Sequence, residues 1–243
     1  MPAFKNYLKS LYTRTMTEAY ATAYQSLAEV MHEDALLLDC GAGSGNTFAK
    51  LRKHFDLTAR NYRGLEWDSA SVESAQSKGL SVEQADLNKP LPFAENTFSA
   101  VVGLSVLEHL LYPCHFVHEC YRVLKPDGKL VLLTPNIATY FTAALILAGR
   151  MPSSGPHPDS SDMLRSRKLT SLKDHGAIEG DTPLHRHLIV FSYVELRQFL
   201  ISTGFRSVAG RGFGVYPFPR FLQPILERVD AKHAHQMVFS ATK

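Results

Sequence analysis

The sequence predicts an α/β protein: a doubly wound, mostly parallel sheet of seven strands, helices on both faces, and an antiparallel last strand. Short runs rich in Leu and Val alternate with segments whose apolar residues recur every three or four positions, the pattern of strand-helix-strand units. Three closely spaced glycines, Gly41, Gly43 and Gly45, follow the first apolar run, where a parallel sheet hands its chain to a helix. The 243 residues, 45% of them hydrophobic, suffice for one core, and 1–243 reads as a single domain.

A helix is expected over 17–31, with Tyr20, Tyr24, Leu27 and Met31 stepping along one face. A strand over 35–40, the glycine turn and a helix over 47–55 make the first unit. A strand over 61–66, a helix over 69–77 and a short strand over 80–83 repeat the pattern. After a strand over 98–103, Pro113 takes a first helical position ahead of Phe116, Val117, Cys120, Tyr121 and Leu124. Lys125-Pro126-Asp127-Gly128 is a turn, with proline presetting φ and glycine closing it, before a strand over 129–134 that Pro135 ends.

The apolar run 137–148 is about a dozen residues long, short of the roughly 20 that span a bilayer; it reads as a core helix first and as the wall of an apolar acceptor pocket second. Residues 151–183, rich in Ser, Pro, Gly, Asp and His, read as a long loop, and 137–187 as an inserted lid over an acceptor. Ser192 and Glu195 have capping-box spacing and Gly204 the C-cap position of a further helix. Strands over 206–210 and 236–242 close the sheet as an antiparallel pair.

A net charge of +3, with Lys and Arg scattered, shows no electrostatic footprint for nucleic acid. Cys40, Cys114 and Cys120 lack a C-x-x-C pair and read as reduced thiols, all three in the core. The N-terminal segment lacks the apolar stretch of a secretory signal, stable membrane insertion is not expected, and the cytoplasm is the expected location. No heptad repeat points to a partner, so the oligomeric state stays open.

The glycines are spaced G-x-G-x-G, not the G-x-G-x-x-G of dinucleotide binding, and Asp39 stands two residues before the first. An acid there opposes a pyrophosphate and suits a ligand that carries an ammonium and a sulfonium.

Asp39-Cys40-Gly41-Ala42-Gly43-Ser44-Gly45 resembles motif I of class I S-adenosylmethionine-dependent methyltransferases, an acid, one residue, then G-x-G-x-G. Leu91-Pro92-Phe93 and the stretch 96–102 are similar to the lead into the fourth strand in the type 11 small-molecule group. Ser105-Val106-Leu107-Glu108-His109-Leu110 matches that group's segment beside the methyl donor, and 122–128 with Thr134-Pro135-Asn136 completes a resemblance over 36–136. A weaker echo returns at 187–205. The resemblance implies a Rossmann-like fold, S-adenosyl-L-methionine as cofactor and methyl transfer as activity. It implies cofactor contacts from Asp39, Gly41, Ala42, Gly43 and Gly45, from Glu66 at the ribose with Trp67 beside the adenine, from Asp86 and Leu87 at the adenine, and from Leu104 and Ser105.

Transfer to a hydroxyl needs a proton acceptor, and histidine has the suitable pKa. His109 lies in the matched segment and His187 aligns with a histidine that faces the acceptor pocket in this group, so both are the candidate catalytic residues. His157 and His185 lie in or beside the expected lid. His157, Asp159, His185 and His187 show no H-x-x-x-H spacing, so no metal is expected. Gly103-Leu104-Ser105-Val106 departs from the Asn- or Asp-Pro-Pro-Tyr motif of base-amino methyltransferases. The expected reaction is methyl transfer to an O atom, less readily N or C, of a small-molecule acceptor. The alternatives are a non-catalytic module that binds the cofactor and, if the glycine turn is misread, an NAD(P)-dependent oxidoreductase.

Overall fold

A computed structural model describes residues 2–152 and 187–243. Seven strands, β1 (Leu37–Cys40), β2 (Tyr62–Glu66), β3 (Val82–Gln84), β4 (Phe98–Leu104), β5 (Leu124–Pro135), β6 (Arg206–Phe213) and β7 (Gln236–Thr242), form one sheet in the order β3-β2-β1-β4-β5-β7-β6. The pairs β2-β3, β1-β2, β1-β4 and β4-β5 are parallel, and β7 runs antiparallel to both β5 and β6. The helices are α1 (Pro2–Gln25), α2 (Asn46–Leu51), α3 (Ser69–Gln76), α4 (Pro113–Val123), α5 (Tyr140–Leu147), α6 (Tyr193–Thr203) and α7 (Gln223–Val229).

Neighbouring strand residues face two separate cores. Leu38, Val101 and Leu132 pack with Phe116, Cys120 and Leu200, whereas Leu37, Val102, Val131 and Leu133 pack with Ala23, Leu27, Leu51 and Val72. Burial on both faces is why these strands read as continuous apolar runs instead of alternating ones.

Several boundaries differ from the sequence reading. The first helix starts at Pro2 and ends at Gln25, with turns to Val30 in place of its expected last residues. The turn at 125–128 lies inside β5: the ladder jumps from Phe98↔Leu124 to Ala100↔Lys129, and Asp127 sits at φ 63°. Four residues of β5 thus stand against the single residue Ser99 of β4, and Asp127 and Gly128 bond to the main chain of Lys243 instead. Cys114 is exposed on α4, unlike buried Cys40 and Cys120, so only two of the three thiols belong to the core.

The expectation that 137–148 is a core helix is overturned. α5 starts on a capping box between Thr139 and Thr142, yet only Thr142 and Leu145 are buried and neither belongs to the two cores. The helix is apolar all round, so its periodicity cannot say which side is covered. It is tethered at its start, where the Tyr140 hydroxyl donates to Asp230 at 2.5 Å and its ring meets Phe218 and His233. Ile146 and Leu147 face solvent, Leu147 at 89% exposure. Most of the expected lid falls outside the described residues, and among these no helix is long and apolar enough to cross a membrane.

Asn136 closes the carboxyl end of β5 and is fully buried. Its Nδ2 donates to the carbonyls of Lys232 and Ala234 at 2.8 Å, and its Oδ1 accepts from the amides of Ala138 and Tyr193 at 3.0 and 3.3 Å. One amide therefore joins β5, the entry to α5, the start of α6 and the approach to β7. Asn136→Leu strands those four backbone groups, and urea unfolding is expected to register a loss of about 3 kcal/mol or more.

Candidate active site

The glycine turn sits where β1 ends, with φ of 80° at Gly41, 52° at Gly43 and 86° at Gly45, a region that penalises any other residue. A Cβ at Gly41 would lie 2.4 Å from Cγ2 of Val106, and one at Gly45 would lie 2.4 Å from Cδ1 of Leu80. At Gly43 nothing stands within 4 Å. The first and last glycines thus let the turn pack, while the middle one presents bare backbone to open space. Ala42, buried between them, packs its side chain toward Gly64 of β2 and donates its amide to the Leu65 carbonyl at 3.0 Å.

Asp39 lies behind this turn and is 1% exposed. Its Oδ2 accepts the Tyr62 hydroxyl at 2.7 Å. Burial pushes its carboxyl from 3.8 up to about 7, with a smaller push from the Glu66 charge and an opposing pull from the Tyr62 hydrogen bond. The same burial and the Asp39 charge raise the Tyr62 hydroxyl well above its usual value.

Glu66, at the end of β2, accepts the Gly43 amide at 2.7 Å through Oε2. Its Oε1 accepts the amides of Trp67 and Asp68 at 2.7 and 3.0 Å. The carboxylate so bridges the first two strand ends. Trp67 is 55% exposed, an open wall instead of a core residue. At the end of β3, Asp86 accepts both the amide and the side chain of Asn88, and Asn88 Oδ1 in turn accepts the amides of Leu111 and Tyr112. Leu87 is buried beside them. Asn88, which no motif in the sequence singles out, links the loop after β3 to the loop after β4.

Beyond β4, Leu104 is buried and Ser105 takes a positive φ of 59°, its amide donating to Leu133 at 2.7 Å. The Ser105 hydroxyl lies 3.4 Å from the Tyr20 hydroxyl of α1. Tyr12 also comes from α1, with its phenol raised by burial first and then by the charges of Tyr20 and Glu108. The helix expected over 17–31, with Tyr20 on its core face, does not reach Tyr12; the observed helix carries both, two turns apart. A single 3-10 turn (Leu107–His109) follows. It places buried Glu108, whose Oε2 accepts the Thr134 hydroxyl at 2.9 Å. His109 and His187 meet edge to face, ring centroids 5.1 Å apart. The Leu188 amide donates to the Glu108 carbonyl at 2.7 Å and holds the segment after His187 against that turn. Both expected histidines are therefore brought together, with Glu108 added; His157, Asp159 and His185 lie outside the described residues.

The family of methyltransferase domains termed type 11 matches residues 38–132. A probable S-adenosylmethionine-dependent methyltransferase of Mycobacterium tuberculosis is 33% identical over 223 residues, 90% of this chain and 63% of that protein. Residues 38–132 thus carry a methyltransferase domain, and the chain is similar to S-adenosylmethionine-dependent methyltransferases of class I. A ubiquinone/menaquinone biosynthesis C-methyltransferase of Desulfotalea psychrophila is 30% identical over 129 residues, 47% of this chain and 51% of that protein. The chain spans about half to two thirds of the length of the first of these curated relatives. A solved methyltransferase from Mesorhizobium loti shares the fold at a TM-score of 0.59 and 17% identity, over 92% of this chain and 96% of that one. The glycine turn, Glu66, the Asp86-Leu87 loop and Ser105 stand at the carboxyl ends of β1, β2, β3 and β4 respectively.

The raised Asp39 carboxyl has a thermodynamic consequence. The folded protein keeps a proton on Asp39 between pH 3.8 and about 7 that the unfolded chain has lost, so this group costs stability as pH rises through that window. Asp39→Asn removes the dependence. Relative to the wild type, the variant should gain stability from pH 4 to 7 by at most about 1.4 kcal/mol per unit and level off above, as read by urea midpoints.

Proposed function

We propose that the protein transfers the methyl group of S-adenosyl-L-methionine to an oxygen of a small molecule with an apolar body. The observation that carries this reading is the convergence, along one edge of the sheet, of the Gly43 backbone, the Glu66 carboxylate and the Asp86-Leu87 loop on one side and the His109-His187 pair on the other. On this reading Gly41, Gly43 and Gly45 lie along the methionine portion, Glu66 accepts the ribose hydroxyls, and Trp67, Asp86 and Leu87 hold the adenine. Leu104 and Ser105 border the methyl group.

The sulfonium is already a strong electrophile, so the protein's work is to align the acceptor, exclude water and remove its proton. The acceptor oxygen attacks the methyl carbon, the C–S bond breaks with its electron pair left on sulfur, and the acceptor's proton departs into the His109-His187 cluster. Exposed apolar residues in the segments that follow the strand ends, Leu111, Tyr112, Tyr140, Ile146, Leu147 and Ile189, fit an acceptor with hydrocarbon surface. Residues 137–187 would then act as the acceptor-binding insertion. Transfer to carbon is the second reading, favoured by the quinone C-methyltransferase among the relatives.

Incubating the protein with labelled S-adenosylmethionine and phenolic acceptors should yield methyl ethers. His109→Ala and His187→Ala should each lower kcat about 100-fold while leaving S-adenosylhomocysteine affinity unchanged. Glu66→Gln should weaken that affinity about tenfold, the cost of one charge-assisted hydrogen bond. Retained turnover in both histidine variants would contradict the proton-transfer role.

A further inference from the structure

Three side chains that no spacing in the sequence links meet beyond the carboxyl end of β4. One carboxylate oxygen of Glu108 and one ring nitrogen each of His109 and His187 all lie within 4.8 Å of one another. We propose that Glu108, His109 and His187 hold a divalent first-row transition cation. The methyl-transfer reading is needed only for what this cation does, since the site itself stands on the donor geometry.

Two imidazole nitrogens and one carboxylate oxygen suit Zn²⁺, Fe²⁺ or Co²⁺ better than Mg²⁺ or Ca²⁺, which take mostly oxygen donors. Bonds of about 2.0–2.2 Å set donors about 3–4 Å apart, so closing the cluster takes a movement of roughly 1 Å, within reach of side-chain rotation. The surroundings already orient the ligands. Thr134, itself buried, donates to Oε2 of Glu108, and Oε1 lies 3.9 Å from Nε2 of His109. The Leu188 amide, bonded to the Glu108 carbonyl, fixes the main chain next to His187. Such hydrogen bonds behind a ligand fix its direction and tune its basicity.

Three protein ligands leave coordination positions for water and for an acceptor hydroxyl. A hydroxyl bound to the cation gives its proton to solvent water more readily, and the resulting oxyanion attacks the sulfonium methyl, the C–S electron pair staying on sulfur. The cluster would then remove the acceptor's proton through a cation, with the imidazoles as ligands. This deepens the proposed function at one point, since the proton leaves a cation-bound hydroxyl for solvent water and does not settle on an imidazole, while the bond made and the bond broken stay the same.

The test is a Co²⁺ titration of the chelator-stripped full chain, followed by visible absorption and calorimetry. One saturating equivalent with d–d bands is expected. Glu108→Gln and His187→Ala should each weaken cobalt binding at least tenfold, and Thr134→Val, which leaves all three ligands in place, about 10- to 100-fold. His118→Ala, exposed on α4, should change nothing. Circular dichroism and S-adenosylhomocysteine titration of each variant separate a lost site from a lost fold. Absence of a saturable band, or a band unchanged in Glu108→Gln and His187→Ala, overturns the cation site. If S-adenosylhomocysteine still binds in that case, the methyl-transfer reading survives; cobalt binding without S-adenosylhomocysteine binding keeps the cation site and removes that reading.

Discussion

The Glu66 carboxylate holds together two loops on which the rest of the site depends. One oxygen takes the amide of Gly43, and the other takes the amides of Trp67 and Asp68. An anion at this position satisfies three main-chain donors that the turns leave outside regular structure, and it does so without a side chain from the glycine turn itself. The glycine turn can therefore stay bare at Gly43, where a ligand needs access, and remain fixed. Asp39 works from the opposite side: buried and bonded to Tyr62, it braces β1 against β2 one layer below the turn.

Sheet register carries this local order to the other half of the molecule. β1 pairs with β2 and β4, so Cys40 lies level with Leu65 and Gly103, and the loops that follow them open at one edge. β5 ends on Asn136, whose amide draws α5, α6 and the approach to β7 toward that edge. The segment that follows His187 is held at Leu188 by the Glu108 carbonyl. Three separate groups of hydrogen bonds, at Glu66, at Asn136 and between Leu188 and Glu108, thus fix the loops beyond the strand ends.

Much of this arrangement is legible in the sequence because burial on both faces of a parallel sheet writes itself as apolar runs, and because a tight backbone approach requires glycine. Gly41, Gly43 and Gly45 are legible as a turn for the second reason, whereas Glu66 and Asp86 are singled out by their place after apolar runs and by the motifs they resemble. The pairing of His109 with His187, and the entry of Glu108 beside them, could not be read, since their proximity arises from the Leu188-Glu108 contact between distant segments. Tyr20 was hidden because an aromatic face on a helix has the same period whether it covers a core or a site, and Tyr12 because the expected helix does not reach it. The exposure of α5 was missed for a similar reason: a helix apolar on every side carries no record of which side is covered. The loop at 125–128 was read correctly as a turn, but its place inside one strand follows from pairing with β4, a non-local fact.

The central claim is that this edge of the sheet holds an adenosyl sulfonium cofactor and not a dinucleotide. Calorimetric titration of the wild-type chain with S-adenosylhomocysteine and, in parallel, with NADH tests it most directly. The account predicts saturable binding of S-adenosylhomocysteine, one per chain, and no binding heat with NADH. Binding of NADH, or no response to S-adenosylhomocysteine from protein shown to be folded, would contradict it.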